Sequence, residues 1–473
     1  MRFALHSITQ RAARSAVAWS FVATTLRFGS ALFILPLILR RIPPEELGLW
    51  YVFLSFGTLA TLVDFGFAQT ITRVTAYLWA GARELHPYGL KFAVTDAGEH
   101  SENAQPNLQM LSRLIAALRV YYAVLGGIVL ILLVSIGGWW IYSKTDGFPN
   151  AHSLRIAFVV YSIGVALNLI GSLWLYTLNG VNRIRESLQL SIFCLLENYA
   201  ISITGLLSGL RVWALVIANV AMGLTERLTG RFLFHKYVPI EKAPFDAHML
   251  RVLWPTAWRT GIVSVAAYMG LQANTLICSG FLGLKATASY GLTLQAMLLL
   301  VGVSSVWVAV KFPLINQLRS QGRLKEIADL FRQRIALAML TYLLGGSALL
   351  FFGPPLLTLL HAKTQFLPTP LLATMLVIYL LEVHHSLYAS LVFSENVNPF
   401  VIPAIISGSA IVALSVWLTP RIGVWGMLLS QGVVQLCFNN WWPVVRAIRG
   451  LALSPRTYWS SFFNFAASDR ASA

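Results

Sequence analysis

The stretch that decides the fold runs from Leu35 to Arg73, LPLILRRIPPEELGLWYVFLSFGTLATLVDFGFAQTITR. It holds the end of one apolar run and a short connection through Arg40, Arg41, Pro43 and Pro44. A second apolar run follows from Leu47 to Ile71, in which Asp64 is the only charged residue. About 20 residues at about 1.5 Å each cross the hydrocarbon core of a bilayer, so both runs read as membrane-spanning helices joined by a tight loop. The rest of the 473 residues follows the same grammar. The chain is 57% hydrophobic and 11% charged, with a mean hydropathy of +0.69, whereas a soluble domain carries about 25% charged residues. That composition excludes a soluble enzyme and makes the bilayer the main solvent.

Apolar runs at roughly span length predict about twelve crossings. The first six cover residues 16–39, 47–71, 114–141, 156–178, 188–207 and 212–233; the second six cover 260–281, 288–310, 335–352, 371–393, 400–418 and 424–445. A polar stretch near mid-chain divides them. The expected organisation is an all-α polytopic membrane protein of two six-helix lobes around a central cavity. The N-lobe is 16–233, the inter-lobe linker 234–255 and the C-lobe 256–446, with a segment 1–15 before them and a tail 447–473 after. Leu47-Gly48-Leu49-Trp50 and Ser289-Tyr290-Gly291-Leu292, each opening a span, form a faint internal echo. The segment 80–113 is polar and receives no chemistry.

Charge placement sets the orientation. With the amino terminus inside, only Arg40, Arg41, Lys144, Arg155, Arg211, Lys285, Lys363 and Arg421 fall in outer loops, and most of the remaining Lys and Arg lie in inner segments. The positive-inside rule then places both termini in the cytoplasm and explains a net charge of +17 without nucleic acid. Arg2, Arg11 and Arg14 precede the first run without a small-residue cleavage signature, so that run is expected to be a retained span. Cys194, Cys278 and Cys437 each sit in an apolar run with no metal-ligand spacing, so they read as packing residues and no metal or other cofactor is expected.

The Leu35–Arg73 stretch resembles the amino-terminal signature of bacterial polysaccharide-biosynthesis flippases, the O-antigen-flippase-like branch of the multidrug/oligosaccharidyl-lipid/polysaccharide exporter superfamily. The elements that carry the resemblance are Pro36, Pro44-Glu45-Glu46, Gly48-Leu49-Trp50 and Asp64-Phe65-Gly66. Weaker matches fall at 274–290 and 423–426. The resemblance implies a non-enzymatic transporter of the bacterial inner membrane. It would export an undecaprenyl-diphosphate-linked oligosaccharide to the outer leaflet by alternating access, alongside a polysaccharide polymerase and export proteins. Two other readings stay open: a multidrug or small-molecule exporter on the same scaffold, and a membrane glycosyltransferase or polymerase. For the last, neither a nucleotide-sugar domain nor a long outer catalytic loop is visible, and Glu45-Glu46 is the only outer acidic doublet.

Ionisable residues inside spans are the candidate site, because an intramembrane charge costs several kcal/mol and usually faces a bundle interior or a wet cavity. Arg27 lies about eleven residues, roughly 16 Å, into the first span. It reads either as a phosphate-binding guanidinium or as the structural partner of a carboxylate. Arg119 and Arg259, near inner span ends, would complete a cationic portal, or snorkel to the interface. Asp64 can pair with an Arg, cap a helix or bind a coupling cation. Glu197 and Glu382 are candidate proton carriers, Glu382 together with His385 one helical turn on. Gln69, Asn168, Asn198, Gln272 and Asn274 would line a hydrophilic path or hydrogen-bond between helices. Coupling to Na⁺ or H⁺ is an open expectation. Membrane potential would add about 2.3 kcal/mol per 100 mV for each negative charge moved outward.

Overall fold

The computed structural model describes residues 16–64, 66–82, 105–395 and 399–453. Every regular element among them is helical, and the chain divides into two compact units, Met1–Val265 and Ala266–Ala473.

The first unit opens with α1 (Ala16–Arg41), which contains Pro36, and α2 (Pro44–Leu62). Pro44 at the first helical position gives up an N–H that would be unsatisfied there, and Glu45 and Glu46 in the first turn suit the positive end of the helix. The expected second span does not continue straight. It bends by 41° into α3 (Phe67–Trp79), and Gly66 adopts φ +71°, a left-handed conformation that glycine takes without a Cβ clash. Next come α4 (Leu108–Leu132), a π-helical turn at Leu133–Gly137, α5 (Gly138–Lys144), α6 (Ala151–Gly180), α7 (Ile184–Leu207) and α8 (Val212–Tyr237). The division between the units falls within the next helix, α9 (Ala247–Leu271), which takes in Pro255. Most of the expected polar segment 80–113 lies outside the described residues.

Small residues set the closest helix approach in this unit. A Cβ on Gly223 of α8 would come 3.0 Å from the backbone carbonyl oxygen of Gly164 and the backbone nitrogen of Asn168, both on α6. One on Gly171 would come 3.1 Å from the Arg227 nitrogen. Lipid supplies no hydrophobic drive between helices, so contact through glycine replaces it with van der Waals packing. The pair Gly205 and Gly209 does not act this way: Gly205 meets Ala214 across a turn, and Gly209, at φ +85°, lies in that turn beyond the end of α7.

The second unit comprises α10 (Ala273–Phe281), α11 (Gly283–Ala309), α12 (Phe312–Ser320), α13 (Leu324–Leu359), α14 (Thr369–Phe393), α15 (Val401–Ile422), α16 (Val424–Val434), a π turn at Gln435–Asn439 and α17 (Trp442–Gly450). Among the described residues nine helices are long and apolar enough to cross a membrane, or ten when α2 and α3 count as one bent span. The difference from the expected twelve has a local origin. The first expected span is α1. The last is divided between α16, its π turn and α17, so no single helix there has full length. Large apolar side chains such as Phe352, at 72% exposure, stand on the surface, as a lipid solvent permits.

Candidate functional site

In the first unit the polar interior begins at the corner between α2 and α3. Asp64 is buried there. Its Oδ1 accepts a hydrogen bond from the Tyr122 hydroxyl at 2.5 Å and its Oδ2 one from the Ala68 N–H at 3.2 Å. One carboxylate therefore caps α3 and ties it to α4. Of the roles expected for Asp64, capping is directly visible. Glu197 on α7 accepts from the Thr225 hydroxyl of α8 at 3.0 Å, and its second oxygen is buried without a hydrogen-bond partner.

The residue after Thr225 is Glu226, half-buried on the packed side of α8 with Gly223 and Gly230. Tyr176 on α6 lies within electrostatic reach of both Asp64 and Glu226. Cys194 on α7 lies within reach of both Glu226 and Glu197. Tyr176 and Cys194 thus link the surroundings of the three carboxylates, and among the described residues none of the three is in an ion pair. Asn168 donates to the carbonyl oxygens of Gly164 and Asn219, at 3.0 and 3.4 Å, so it bonds between helices. Asn198 is half-buried and Gln69 exposed.

The side chains of Arg27 and Arg259 lie outside the described residues. The backbone beside Arg27 is placed: the Tyr199 hydroxyl of α7 donates to the Leu26 carbonyl oxygen at 3.1 Å, holding α1 against α7. Arg119 is exposed on α4. The outer doublet is structural at Glu46, which is buried and accepts from Asn150 Nδ2 and Arg211 Nη1, both at 3.0 Å. That clamp joins the start of α2 to the starts of α6 and α8.

In the second unit one carboxylate stands among neutral groups. Glu382 Oε2 accepts from Gln435 Nε2 at 2.5 Å, and its Oε1 lies 3.6 Å from His385 Nε2. His385 Nδ1 is 3.1 Å from the Leu381 carbonyl oxygen. With Nδ1 donating to that carbonyl, Nε2 faces the carboxylate as an acceptor unless the ring carries a further proton. Tyr379 on α14 is within electrostatic reach of Glu382, Tyr290 and Tyr342. Asn274 on α10 and Gln431 on α16 are fully buried, Asn274 beside the Tyr290 hydroxyl and Gln431 beside that of Tyr379. Gln272, half-buried, precedes α10. Among the described residues no three His, Cys, Asp or Glu are grouped to hold a metal ion.

Sequence reasoning missed Glu226, Tyr379, Gln431 and Gln435. The signal for Glu226 was available: it shares a helix face with Gly223 and Gly230, and glycine at that spacing marks the packed side. The other three lie in apolar runs, where a tyrosine or a lone amide reads as ordinary core.

No protein-family model and no curated protein matches the chain. Solved structures do. An inward-facing multidrug resistance MATE family transporter of the MOP superfamily aligns at TM-score 0.64 with 12% identity, covering 93% of this chain and 99% of the other. A MOP superfamily transporter from Pyrococcus furiosus, described as having a binding pocket of reverse polarity that suggests a different function, aligns at TM-score 0.60 with 14% identity over 94% and 97%. An outward-facing MATE transporter aligns at TM-score 0.59 with 13% identity over 93% and 97%. The chain therefore has the fold of these proteins, the scaffold expected from the Leu35–Arg73 stretch.

Proposed function

We propose that this chain is a membrane exporter that moves a small organic molecule, favouring cations, by alternating access. A proton or Na⁺ bound at Asp64, Glu226 and Glu197 would couple the cycle to an ion gradient. The observation that carries this reading is the run of three interior carboxylates with no ion-pair partner among the described residues. An unpaired intramembrane carboxylate is costly unless it takes up a proton or a metal cation, and groups of this kind mark ion and substrate pathways. Tyr122 and Thr225 supply hydroxyls beside two of them, so a cation leaving its water would meet oxygen ligands. The fold supports transport as well: MATE transporters with it have been captured both inward- and outward-facing.

The lipid-linked oligosaccharide flippase is the second reading, and the Leu35–Arg73 stretch favours it. A diphosphate would need cations. In that reading Arg27, Arg259 and Arg119 receive it, Gln272 and Asn274 meet the sugars, and the polyprenyl tail stays in lipid. A sugar hydroxyl moved into an alkane-like medium unpaired costs about 4 to 8 kcal/mol, so polar side chains have to replace its water. Glu382 and His385 remain a candidate relay for a coupling proton in either reading.

Proteoliposomes separate the two. Purified protein given an imposed pH or Na⁺ gradient is expected to move ethidium, and Asp64→Asn to stop it. Movement of lipid-linked oligosaccharide with no movement of ethidium would replace the first reading by the second. Lengthening of the glycan would make the protein an enzyme and overturn both.

A further inference from the structure

The carboxyl-terminal half of α8 has an outward face that no transport step above uses. Leu224, Leu228 and Phe232 stand 42%, 64% and 65% exposed, and Arg231, His235 and Lys236 beyond them are exposed as well. At 3.6 residues per turn these six fall within roughly a 140° arc, over a length of about 18 Å. The face is therefore graded along its axis, apolar toward mid-helix and cationic toward the end that leads into residues 238–246. Leu228, Phe232, Arg231, His235 and Lys236 line a shallow, open surface groove of about 550 Å³. Gly223, Glu226 and Gly230 lie on the opposite, packed side. His235 Nδ1 is held 2.8 Å from the Arg231 carbonyl oxygen, and neither Arg231 nor Lys236 is in an ion pair among the described residues.

We propose that this face binds an anionic phospholipid, with the phosphate between Arg231 and Lys236 and an acyl chain along Phe232, Leu228 and Leu224. The argument is charge complementarity joined to shape. A lone snorkelling cation needs no apolar track of matching length on its own face, and an apolar stripe alone would not select a headgroup. A bilayer phospholipid has both parts in this order, with an anionic head at the interface and a chain running inward. The proposal is independent of the transported molecule and of the side of the membrane on which the site lies.

The test is native mass spectrometry of the full chain in detergent, titrated with phosphatidylglycerol or with phosphatidylcholine of the same acyl chains. The protein is expected to prefer phosphatidylglycerol. Arg231→Gln with Lys236→Gln should lower that affinity about thirtyfold and leave phosphatidylcholine binding unchanged, because each interfacial cation is worth about a fivefold change in binding an anionic lipid. Removing equal charge elsewhere, by Arg113→Gln with Lys325→Gln, should leave the preference intact. Leu228→Ser with Phe232→Ser should weaken both lipids alike. Equal binding of the two lipids by the unaltered chain, an unchanged preference in the Arg231/Lys236 variant, or an equal loss in the Arg113/Lys325 control would each overturn the proposal. Should the double variant not fold, Lys236→Gln alone is read the same way, with a loss of about fivefold.

Discussion

The two units handle buried charge in opposite ways. The first places Asp64, Glu226 and Glu197 in its interior and offers two of them hydroxyls and one an N–H, with no cation paired to them among the described residues. In the second, the carboxylate of Glu382 is held by an amide and faced by an imidazole, among tyrosines and amides that carry no charge. Asp64 and Glu382 each accept one hydrogen bond at 2.5 Å, so the difference lies in number and neighbour: three carboxylates stand in the first interior, and in the second a single one faces an imidazole. Under the proposed function the contrast assigns cation uptake to the first interior, and the variants below test that assignment.

The largest expected effect follows directly. Asp64→Asn keeps an acceptor for Tyr122 but removes the charge. Gradient-driven uptake in proteoliposomes is expected to fall about a hundredfold, on the scale of one charged hydrogen-bonding contact, while the protein still runs as a single species on size exclusion. Uptake within threefold of the unaltered chain would break the comparison. Glu226→Gln should lower uptake about tenfold, as expected for a group that shares the ion rather than being indispensable to it. Its effect should shrink in an Asp64→Asn background, which a double-mutant cycle reads out.

Effects in the second unit should appear in stability. Glu382→Gln loses the charge facing His385 and sets two amides against each other. A loss of about 1 to 2 kcal/mol is expected, seen as a lower thermal midpoint; uptake changed by less than about threefold would remove the Glu382–His385 pair as a proton relay. The smallest effect sharpens the contrast most. Asn274→Leu removes the amide beside the buried Tyr290 hydroxyl, so it should cost about 1 kcal/mol or less, read in the thermal midpoint, with uptake unchanged. Abolished uptake in that variant would make the second interior a ligand site too.

Much of the fold was legible in the sequence because bilayer physics writes it there: a span must be about 20 apolar residues long, and a charge within one stands out. Asp64, Glu197, Glu382 and His385 were found that way. The bend after Leu62 was not, since Gly66 in an apolar run is an ordinary residue until its φ is known. Glu226 was hidden by its neighbour. It stands beside Arg227, and the shared face with Gly223 and Gly230 is the cue that separates the two, which the packing bears out. The Tyr379, Gln431 and Gln435 cluster draws on α14, α16 and the π turn, and sequence spacing carries no record of which helices meet.

Helix α8 is keyed. Its glycine notches seat against α6, its carboxylate points inward and its oily flank points outward. A quarter-turn about its own axis would drive Glu226 among acyl chains and unseat both notches, a penalty of several kcal/mol before anything is gained. Like a splined shaft it can slide or lean but not spin, so a screw-like reorientation of this helix is closed to the molecule.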